Sequence, residues 1–502
     1  MALVKITPGT PWPLHGVAAT RRIEQLAQAA LPPHVLMQRA GQSVARLALA
    51  LAPHAHTVWI ACGPGNNGGD GLEAAVHLQD WGKNPVVTWL GNATTLPPDA
   101  AAALAKARAA GVVFADSPPN MTAQDLCIDA LLGLGSTRAP EGRLAQCLHW
   151  LASSAAPVLA VDLPSGLDAD TGTDATNSEA TKQAKTPATG NFYYKNTLSL
   201  LTLKPGLFTG QGRDAAGQVW FDDLGVDTSA EAPSAGLSAA PFHRPRQHAS
   251  HKGSHGDVAV VGGAAGMAGA ALLAASAALH AGAGRVFVAL LDAAMPYDPQ
   301  QPELMFRTAD SLQWSAMTVV CGCGGGEAVR TVLPKAIASP AGVVLDADAL
   351  NAIANDGQLR YLLAARGRHG KPTVLTPHPL EAARLLGCST AQVQGSRLAA
   401  AQQLADAFAC VVVLKGSGTV VAAPGTAPCI NPTGNALLAT GGTGDVLAGF
   451  IGARLHGLST LAEVFIQTSG AVYLHGLLAD HWPAGKALTA GRLAAALASN
   501  AA

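Results

Sequence analysis

The stretch Thr57-Val-Trp-Ile-Ala-Cys62 runs directly into Gly63-Pro-Gly-Asn-Asn-Gly-Gly-Asp-Gly71. Six apolar or β-favouring residues that end at a glycine predict a buried strand. Residues 72–81, which follow the glycines, have the apolar content and length of a helix. A strand, a glycine turn and a helix in this order open a βαβ unit, whose strands run parallel. We therefore predict an α/β fold.

The same alternation extends through the chain. Residues 21–51 predict a helix that is interrupted at Pro32-Pro33. Strands separated by helical segments predict a parallel sheet with helices on both faces. Further strand-like apolar runs occur at residues 86–90, 126–129, 158–162, 257–261, 343–346, 373–376 and 411–415.

A Ser-, Ala- and Pro-rich segment, residues 229–250, divides this pattern in two. It lacks periodicity and predicts a linker between domains 1–228 and 251–502. A chain of 502 residues has room for two or three domains. No short repeat relates the halves, so we expect two different α/β domains.

Composition narrows the class of protein. The net charge is −1 and no basic stripe stands out, which argues against nucleic acid as the main partner. No run of about 20 apolar residues predicts a membrane span, and the N-terminus does not have the pattern of a signal peptide. The eight cysteines lack zinc spacing and favour reduced core thiols in a cytoplasmic protein.

One segment differs in composition from the rest of the chain. Residues 173–196 are rich in Thr, Lys and Asn within an Ala- and Leu-rich chain. We interpret them as an inserted, mobile surface loop. A basic recognition loop remains an alternative.

The first glycine segment satisfies the pattern G-x-G-x-x-G, so a dinucleotide-binding dehydrogenase must be weighed. However, its Asn66, Asn67 and Asp70 supply polar side chains where a bare phosphate-binding turn would have none. The next predicted strand, which ends near Leu90, also lacks the acidic residue that would hold a ribose. Both features disfavour the dehydrogenase.

Polar residues also follow other predicted strands. Asp129 ends one strand, and Ser165 follows another that ends at Asp162. Ligands of open α/β sheets bind at the carboxyl ends of strands, so Asn67, Asp129 and Ser165 are expected to converge there. Their all-oxygen character suits a hard cation better than zinc. Loop capping is the alternative for each residue taken singly.

Several motifs between residues 15 and 228 resemble the NAD(P)H-hydrate epimerase family. They are the glycine segment 63–71, Asp129-Ala-Leu-Leu-Gly133, Val161-Asp-Leu-Pro-Ser-Gly-Leu-Asp-Ala-Asp-Thr-Gly172 and Leu36-Met-Gln-Arg-Ala-Gly41. The resemblance implies a Rossmann-like domain that interconverts the R and S forms of hydrated NADH or NADPH with a bound potassium ion. Segment 173–196 is longer than the family pattern and leaves the course of residues 198–206 open.

The same resemblance implies roles for individual residues. Asn67, Asp129 and Ser165 would hold potassium, and Asp162 is the candidate general acid or base. The implied substrate-binding residues are Asn66, Asn67, Gly68, Gly69, Asp70, Gly133, Leu134, Gly135, Ser136, Thr137, Arg138, Ala139 and Asp162.

A second glycine turn lies near the end of the chain. Asn431-Pro-Thr-Gly-Asn-Ala436 precedes Gly441-Gly-Thr-Gly-Asp445, which runs into an apolar helical stretch. Unpaired amides at a helix N-terminus bind anions, and Asp445 would stand beside a bound phosphate as a base. This predicts small-molecule phosphoryl transfer without a P-loop, since G-x-x-x-x-G-K-[ST] does not occur. A plain turn before a core helix is the alternative.

Residues 250–502 resemble the ADP/ATP-dependent NAD(P)H-hydrate dehydratase family, whose fold is ribokinase-like. The motifs are His251-Lys-Gly-Ser-His-Gly-Asp-Val258, Gly262-Gly-Ala-Ala-Gly-Met-Ala-Gly-Ala270, Leu345-Asp-Ala-Asp-Ala-Leu350, Leu375-Thr-Pro-His-Pro-Leu-Glu381 and Lys415-Gly-Ser-Gly-Thr419, together with the turn at Asp445. Gly322-Cys-Gly324-Gly-Gly326 departs from the usual GPGLG but keeps the glycine at Gly324.

This resemblance implies that the hydroxyl of the S-hydrate is phosphorylated by ADP and that phosphate then leaves, with magnesium assisting. Asp445 would be the base, and Asp346 and Asp348 are weak candidates for magnesium ligands, Asp348 otherwise capping a helix. The implied substrate contacts are Ala270, Gly324, His378 and Asp445, and the implied nucleotide contacts are Lys415, Gly416, Ser417, Gly418, Thr419 and Gly444.

Together the two halves have the order of bifunctional bacterial nicotinamide nucleotide repair proteins, in which an epimerase supplies the epimer that a dehydratase uses. The resemblance also makes a homo-oligomer the expected assembly. A small-molecule kinase fused to a non-catalytic nucleotide-binding domain is the competing interpretation.

Overall fold

Two units, each built on its own central sheet, divide the chain. The computed structural model describes residues 3–135, 138–175, 196–241, 247–292, 295 and 297–497. The first unit comprises Met1–Thr7 and Trp12–Ala235, and the second comprises Pro8–Pro11 and Gly236–Ala502. Both are α/β, as predicted.

The first sheet is an eight-stranded, mostly parallel sheet in the order β1-β9-β8-β7-β6-β3-β4-β5. Only the edge strand β1 runs antiparallel to its neighbour. The chain builds outward from β3 in one direction and from β6 in the other, so these neighbours form the switch point of a doubly wound, Rossmann-like sheet. The first-unit strands are β1 Val4–Lys5, β2 Pro13–Leu14, β3 Thr57–Cys62, β4 Asn84–Trp89, β5 Val113–Phe114, β6 Leu126–Ala130, β7 Val158–Val161, β8 Asn196–Leu200 and β9 Gln218–Asp222.

The first-unit helices confirm the predicted break at Pro32-Pro33 but correct one boundary. The helix predicted over 72–81 begins at Asn66, so most of the glycine segment is helical. Glycine disfavours helices by up to about 1 kcal/mol, and tertiary packing overrides that preference here. The helices are α1 Val17–Ala30, α2 Val35–Leu51, α3 Asn66–Asp80, α4 Pro98–Ala109, α5 Gly142–Ser153 and α6 Gly212–Ala216.

The glycines of α3 let this helix lie against the strand ends. A methyl group at Gly68 would overlap the carbonyl oxygen of Gly63. One at Gly71 would lie 2.7 Å from the Cβ atom of Ala130 on β6. The N-terminus of α3 therefore sits directly at the switch point.

Alternate side chains of the parallel strands are buried on opposite faces of this sheet. Ile60 and Ile128 pack with the helices on one face, whereas Trp59 and Cys127 pack on the other. Burial of both faces explains why these strands are continuously apolar.

The second unit is built on the strand order β13-β12-β11-β14-β15-β16-β17-β18-β19-β10. Strands from β13 to β17 are parallel, whereas β18 is antiparallel to both of its neighbours. Its strands are β10 Ala235–Leu237, β11 Asp257–Gly262, β12 Arg285–Leu290, β13 Met305–Phe306, β14 Thr318–Cys321, β15 Gly342–Leu345, β16 Thr373–Leu375, β17 Val411–Leu414, β18 Val420–Ala423 and β19 Thr426–Ile430.

Helices cover both faces of this sheet as well, giving two apolar clusters. Helices α7 and α14 pack closely, because a methyl group at Gly449 would overlap the carbonyl oxygen of Ala274. The helices are α7 Ala268–His280, α8 Val329–Ala338, α9 Ala347–Ala354, α10 Gly357–Arg368, α11 Pro379–Leu386, α12 Thr390–Gly395, α13 Arg397–Phe408, α14 Thr443–Arg454, α15 Leu461–Asp480 and α16 Ala490–Ala496. No helix within the described ranges combines the length and the apolar character that a bilayer span requires.

The structure can be compared with the predictions for the two segments of unusual composition. The segment predicted as a linker, 229–250, contains β10, which pairs with β19, and the boundary between the units falls at Ala235. Of the predicted loop 173–196, residues 176–195 lie outside the described part of the chain. The segment after it, whose course was left open, forms β8.

The packing of α3 predicts a difference between two glycine substitutions in one segment. Gly68→Ala should lower the unfolding free energy of the first unit by about 1–3 kcal/mol, because an added methyl group forces the backbone apart. Gly65→Ala is the control, because its Cβ position is open and its φ of −114° suits any residue. Urea unfolding measures both. Equal stability of the two variants would contradict this packing.

Candidate active sites

A cavity of about 760 Å³ opens at the carboxyl ends of the strands at the switch point of the first unit. The segments after β3, β6 and β7 contribute to its wall, together with α1. Most of the residues implied as substrate contacts line it. They are Asn66, Asn67, Asp70, Gly133, Leu134, Gly135, Arg138, Ala139 and Asp162.

Four implied contacts are not among the lining residues. Gly68 and Gly69 face the protein interior, where they pack against Gly63 and the side chain of Met37. Ser136 and Thr137 lie outside the described residues. The structure thus gives Gly68 and Gly69 a packing function.

The three residues implied as potassium ligands lie at neighbouring strand ends. Asp129 is fully buried; its Oδ1 accepts a hydrogen bond from Ser165 Oγ at 2.7 Å, and its Oδ2 accepts one from the Ser165 N–H at 3.0 Å. Asn67 packs against Gly133 in the loop after β6, and neither atom of its buried amide has a hydrogen-bond partner among the residues that the structure describes. A buried amide oxygen without a partner, near a buried carboxylate, fits a cation that prefers oxygen ligands.

Asp162 follows β7 with a left-handed φ of 65°, an uncommon conformation that commonly occurs at functional sites. Its carboxylate forms an ion pair with the ammonium group of Lys204. Lys204 is completely buried, and its Nζ also donates to the carbonyl oxygen of Leu200 at 2.7 Å. Sequence reasoning missed Lys204. The available signal was a single charged residue within the apolar run 198–208.

Two more carboxyl groups line the cavity. Burial raises the pKa of Asp70 well above its ordinary value, and the nearby carboxylates of Asp162 and Glu24 raise it further. Burial also raises the pKa of Glu24, again with a contribution from Asp162. The cavity therefore combines carboxyl groups that tend to hold a proton with a carboxylate that is paired with a lysine.

The second unit gathers its polar groups at the corresponding edge of its own sheet. One ligand atom from each of Cys323, Asp346 and Asp445 lies within 4.8 Å of the others. Asp346 Oδ1 accepts hydrogen bonds from Lys415 Nζ and Thr376 Oγ1, both at 2.7 Å. These residues directly follow β14, β15, β16 and β17 or begin α14, so the parallel sheet brings them together.

Asp445 lies in the first turn of α14. Burial, and after it the carboxylate of Asp346, raise its pKa to about 6, whereas Lys415 opposes the shift. A base with this pKa is ionised at neutral pH and keeps more proton affinity than an ordinary aspartate, as general base catalysis requires.

The glycine turn before Asp445 points toward Lys415. Gly442 has a left-handed φ of 89° and begins α14, and a methyl group at Gly444 would lie 3.3 Å from Lys415 Nζ. Free amides at a helix start beside an ammonium group form an anion site. His475, which sequence reasoning missed, approaches the carbonyl oxygen of Thr443 with Nε2 at 3.1 Å. Burial lowers the pKa of His475 to about 4, so it is neutral and donates this bond.

Arg397 fixes the start of the segment 415–419 by hydrogen bonds. It is almost fully buried, and sequence reasoning also missed it. Its Nη2 donates to the carbonyl oxygens of Leu414 and Lys415, each at 3.1 Å. Thr419 Oγ1 closes the turn by donating to the carbonyl oxygen of Gly416 at 3.0 Å. This segment is therefore fixed beside Gly444, where both were implied to contact nucleotide.

The implied substrate contacts of the second unit surround the same cluster. Ala270 lies against Gly324, one residue after Cys323. His378 caps α11 through Nδ1, which accepts from the Leu380 N–H at 3.1 Å. Burial lowers the pKa of His378, and Lys415 adds to that shift. His378 therefore has a structural function in addition to any contact with substrate.

The candidate magnesium ligands fit that ion poorly. Asp348 Oδ2 accepts a hydrogen bond from the Gly326 N–H at 2.8 Å, and Asp346 is already paired with Lys415. The third neighbour is a thiol, which is unsuitable for magnesium. The described residues thus provide no protein cage for magnesium, an ion that commonly keeps waters and binds through substrate phosphates.

Comparison with known proteins matches one family model to each unit. Residues 258–500 match the family model described as NAD(P)H-hydrate dehydratase, and residues 33–206 match the one described as YjeF-related protein N-terminus. The chain is 38% identical to the bifunctional NAD(P)H-hydrate repair enzyme Nnr of Escherichia coli K12, over 89% of this chain and 84% of that one. The chain therefore belongs to the family of bifunctional NAD(P)H-hydrate repair enzymes.

Two further relatives each match about half of the chain. The ADP-dependent (S)-NAD(P)H-hydrate dehydratase of Neisseria meningitidis is 44% identical, over 51% of this chain and 86% of that one. The crystal structure of ADP/ATP-dependent NAD(P)H-hydrate dehydratase from Bacillus subtilis, co-crystallized with ATP/Mg²⁺, is 30% identical, with a TM-score of 0.42 over 50% of this chain and 91% of that one.

Proposed function

We propose that the chain repairs hydrated NADH and NADPH in two steps. The first unit interconverts the R and S hydrates, and the second uses ADP to convert the S-hydrate back to the reduced dinucleotide, with AMP and phosphate as products. The observation that carries this function is Asp445, a base with a pKa of about 6 at a glycine-rich helix start beside Lys415. Family membership supports both halves of the assignment.

The residues of the second unit suit phosphorylation of a hydroxyl group. Asp445 takes the proton of the ring hydroxyl, whose oxygen bonds to the terminal phosphorus of ADP while the bond to the AMP oxygen breaks. The amides of residues 441–444 and the Lys415 ammonium stabilise negative charge on the transferred group. The C–O bond then breaks with phosphate as the leaving group, and loss of a proton from the neighbouring carbon restores the double bond.

The proposed function also involves two metal ions, potassium and magnesium. Asn67, Asp129 and Ser165 would hold potassium, which would place a positive charge at the strand ends where the hydrate binds. Magnesium would neutralise the phosphates of ADP, held mainly by those phosphates and water. Its protein ligands are not assigned.

A small-molecule kinase fused to a non-catalytic binding domain is the competing function. It would accumulate a stable phosphate ester, whereas the repair enzyme releases phosphate and regenerates NADH absorbance. Membership of the repair family favours the second outcome. The domain limits 1–228 and 251–502, the homo-oligomer and the cytoplasmic location stay predictions.

Substitution of Asp445 tests the function of the second unit. Asp445→Asn keeps the shape and removes the basic oxygen, so NADH recovery from pure S-hydrate should fall by at least about 10²-fold. Epimer exchange should continue. Asp356→Asn is the control, because Asp356 only caps α10 and asparagine also caps well. Absorbance of NADH is followed with ADP present, and near-normal recovery in Asp445→Asn would rule out the assignment.

Ion replacement tests the potassium site of the first unit. Exchange of potassium for tetramethylammonium should slow epimer exchange and lower the melting temperature of the first unit, because an ion that binds only the folded form stabilises it. Asp129→Ala should abolish this ion dependence. Chromatography of the two epimers and thermal melts measure the effects. A dependence that survives Asp129→Ala would place the ion elsewhere.

A further inference from the structure

The two oxygens of the Asp162 carboxylate have different surroundings. Oδ1 accepts hydrogen bonds from Lys204 Nζ and from the Leu200 N–H, the latter at 3.3 Å. Within the described part of the chain no hydrogen bond reaches Oδ2, and Asp162 lines the cavity. One oxygen is therefore fixed by the protein, and the other is left for a ligand.

The ammonium group of Lys204 makes all of its hydrogen bonds to other groups of the protein. Besides Asp162, Nζ contacts the carbonyl oxygen of Leu200 at 2.7 Å and Ser199 Oγ at 3.4 Å. A buried ammonium group with three partners has no donor left for substrate. Its effect is to hold the Asp162 carboxylate in one orientation.

Asp70 is the complementary group. It lines the same cavity from α3, and burial raises its pKa well above the ordinary value. Glu24, on α1, contributes to the same shift. A carboxyl group with a raised pKa that shares a cavity with a carboxylate ion-paired to a lysine is an arrangement that assigns an acid and a base.

Inversion of the hydrate by ring opening requires both an acid and a base. Water adds to the enamine double bond of a dihydronicotinamide with its hydroxyl on the carbon bonded to the ring nitrogen. A base that takes the hydroxyl proton lets a C=O bond form while the C–N bond breaks, and an acid gives the nitrogen a proton. Rotation of the aldehyde and reclosure through the reverse steps give the other epimer. Both groups return to their starting protonation states, and nothing is oxidised or reduced.

We propose that the first unit inverts the hydrate by this ring opening, with Asp162 Oδ2 as the base, Asp70 as the acid and Lys204 as the positioning residue. The proposal rests on the epimerase function proposed above. The other route, loss of the hydroxyl as water, would create an iminium ion. That ion could lose a proton from the neighbouring carbon and give NADH without ADP, which would make the second unit redundant.

Exchange of purified R- and S-hydrates by the full-length protein tests the proposal. Lys204→Met and Asp70→Asn should each lower kcat by about 10²-fold or more, with KM for the hydrate changed much less. Lys106→Met is the matched control, because Lys106 pairs with the buried carboxylate of Glu73 at 2.6 Å in the same unit but does not line the cavity. Its exchange rate should stay close to that of the unchanged protein.

Two readouts separate positioning from folding. Lys204→Met should still bind the hydrate with a nearly unchanged KM while kcat falls, because Lys204 contacts Asp162, Ser199 and Leu200 and has no donor left for substrate. Burial lowers the pKa of nearby His15, and the charge of Lys204 adds to that shift. In H₂¹⁸O, inversion should occur without uptake of the label. If Lys204→Met does not fold, Lys204→Gln provides the same comparison while still donating hydrogen bonds.

Several results would overturn the proposal. They are one label taken up per inversion, a Lys204→Met rate equal to that of Lys106→Met, a loss in Lys204→Met that falls on KM rather than on kcat, or an unaffected Asp70→Asn. A complete absence of exchange in the unchanged protein would instead refute the epimerase function on which the proposal rests.

Discussion

Parallel pairing of the central strands is the constraint on which both sites depend. Because the strands of each parallel region point the same way, the residues that follow them meet at one edge of the sheet. In the first unit this places Asp162, the start of α3 and the loop after β6 around one cavity, with the buried Asp129 at the end of β6. In the second it places Asp346 beside Lys415.

Each edge contains a lysine–aspartate pair that is largely removed from water. Lys204 pairs with Asp162, and Lys415 pairs with Asp346. Removal of one partner from a buried pair costs about 3–5 kcal/mol, because an uncompensated charge remains. Each pair also has a chemical effect: the first holds one carboxylate in a single orientation at the cavity, and the second sets an ammonium group at the anion site of α14.

The sequence predicted the features that local pattern determines. Apolar runs predicted β3, β6, β7, β11, β15 and β17, and the polar residues after them were identified as candidate site residues. The α/β class followed from their alternation. The helix start at Asn66 was missed because the glycines of α3 disfavour a helix locally and are stabilised only by contacts with Gly63 and Ala130.

The partners of the site residues depend on contacts that no local pattern encodes. Lys204 is 42 residues from Asp162, and Lys415 is 69 residues from Asp346. Arg397 and His475 lie in apolar helices, where nothing in the neighbouring sequence distinguishes a buried polar residue from an exposed one. Likewise, β10 was interpreted as linker because its residues become a strand only by pairing with β19.

The central claim is that one chain holds two independent sites that share a diffusible intermediate. Complementation tests it most directly: Asp162→Asn and Asp445→Asn proteins are given mixed R- and S-hydrates with ADP, separately and together, and NADH absorbance is followed. The account predicts that Asp162→Asn alone stops when the S-hydrate is used, that Asp445→Asn alone gives almost no NADH, and that the mixture converts all of the hydrate. A mixture that stops at the S-hydrate fraction, or complete conversion by Asp162→Asn alone, would contradict it.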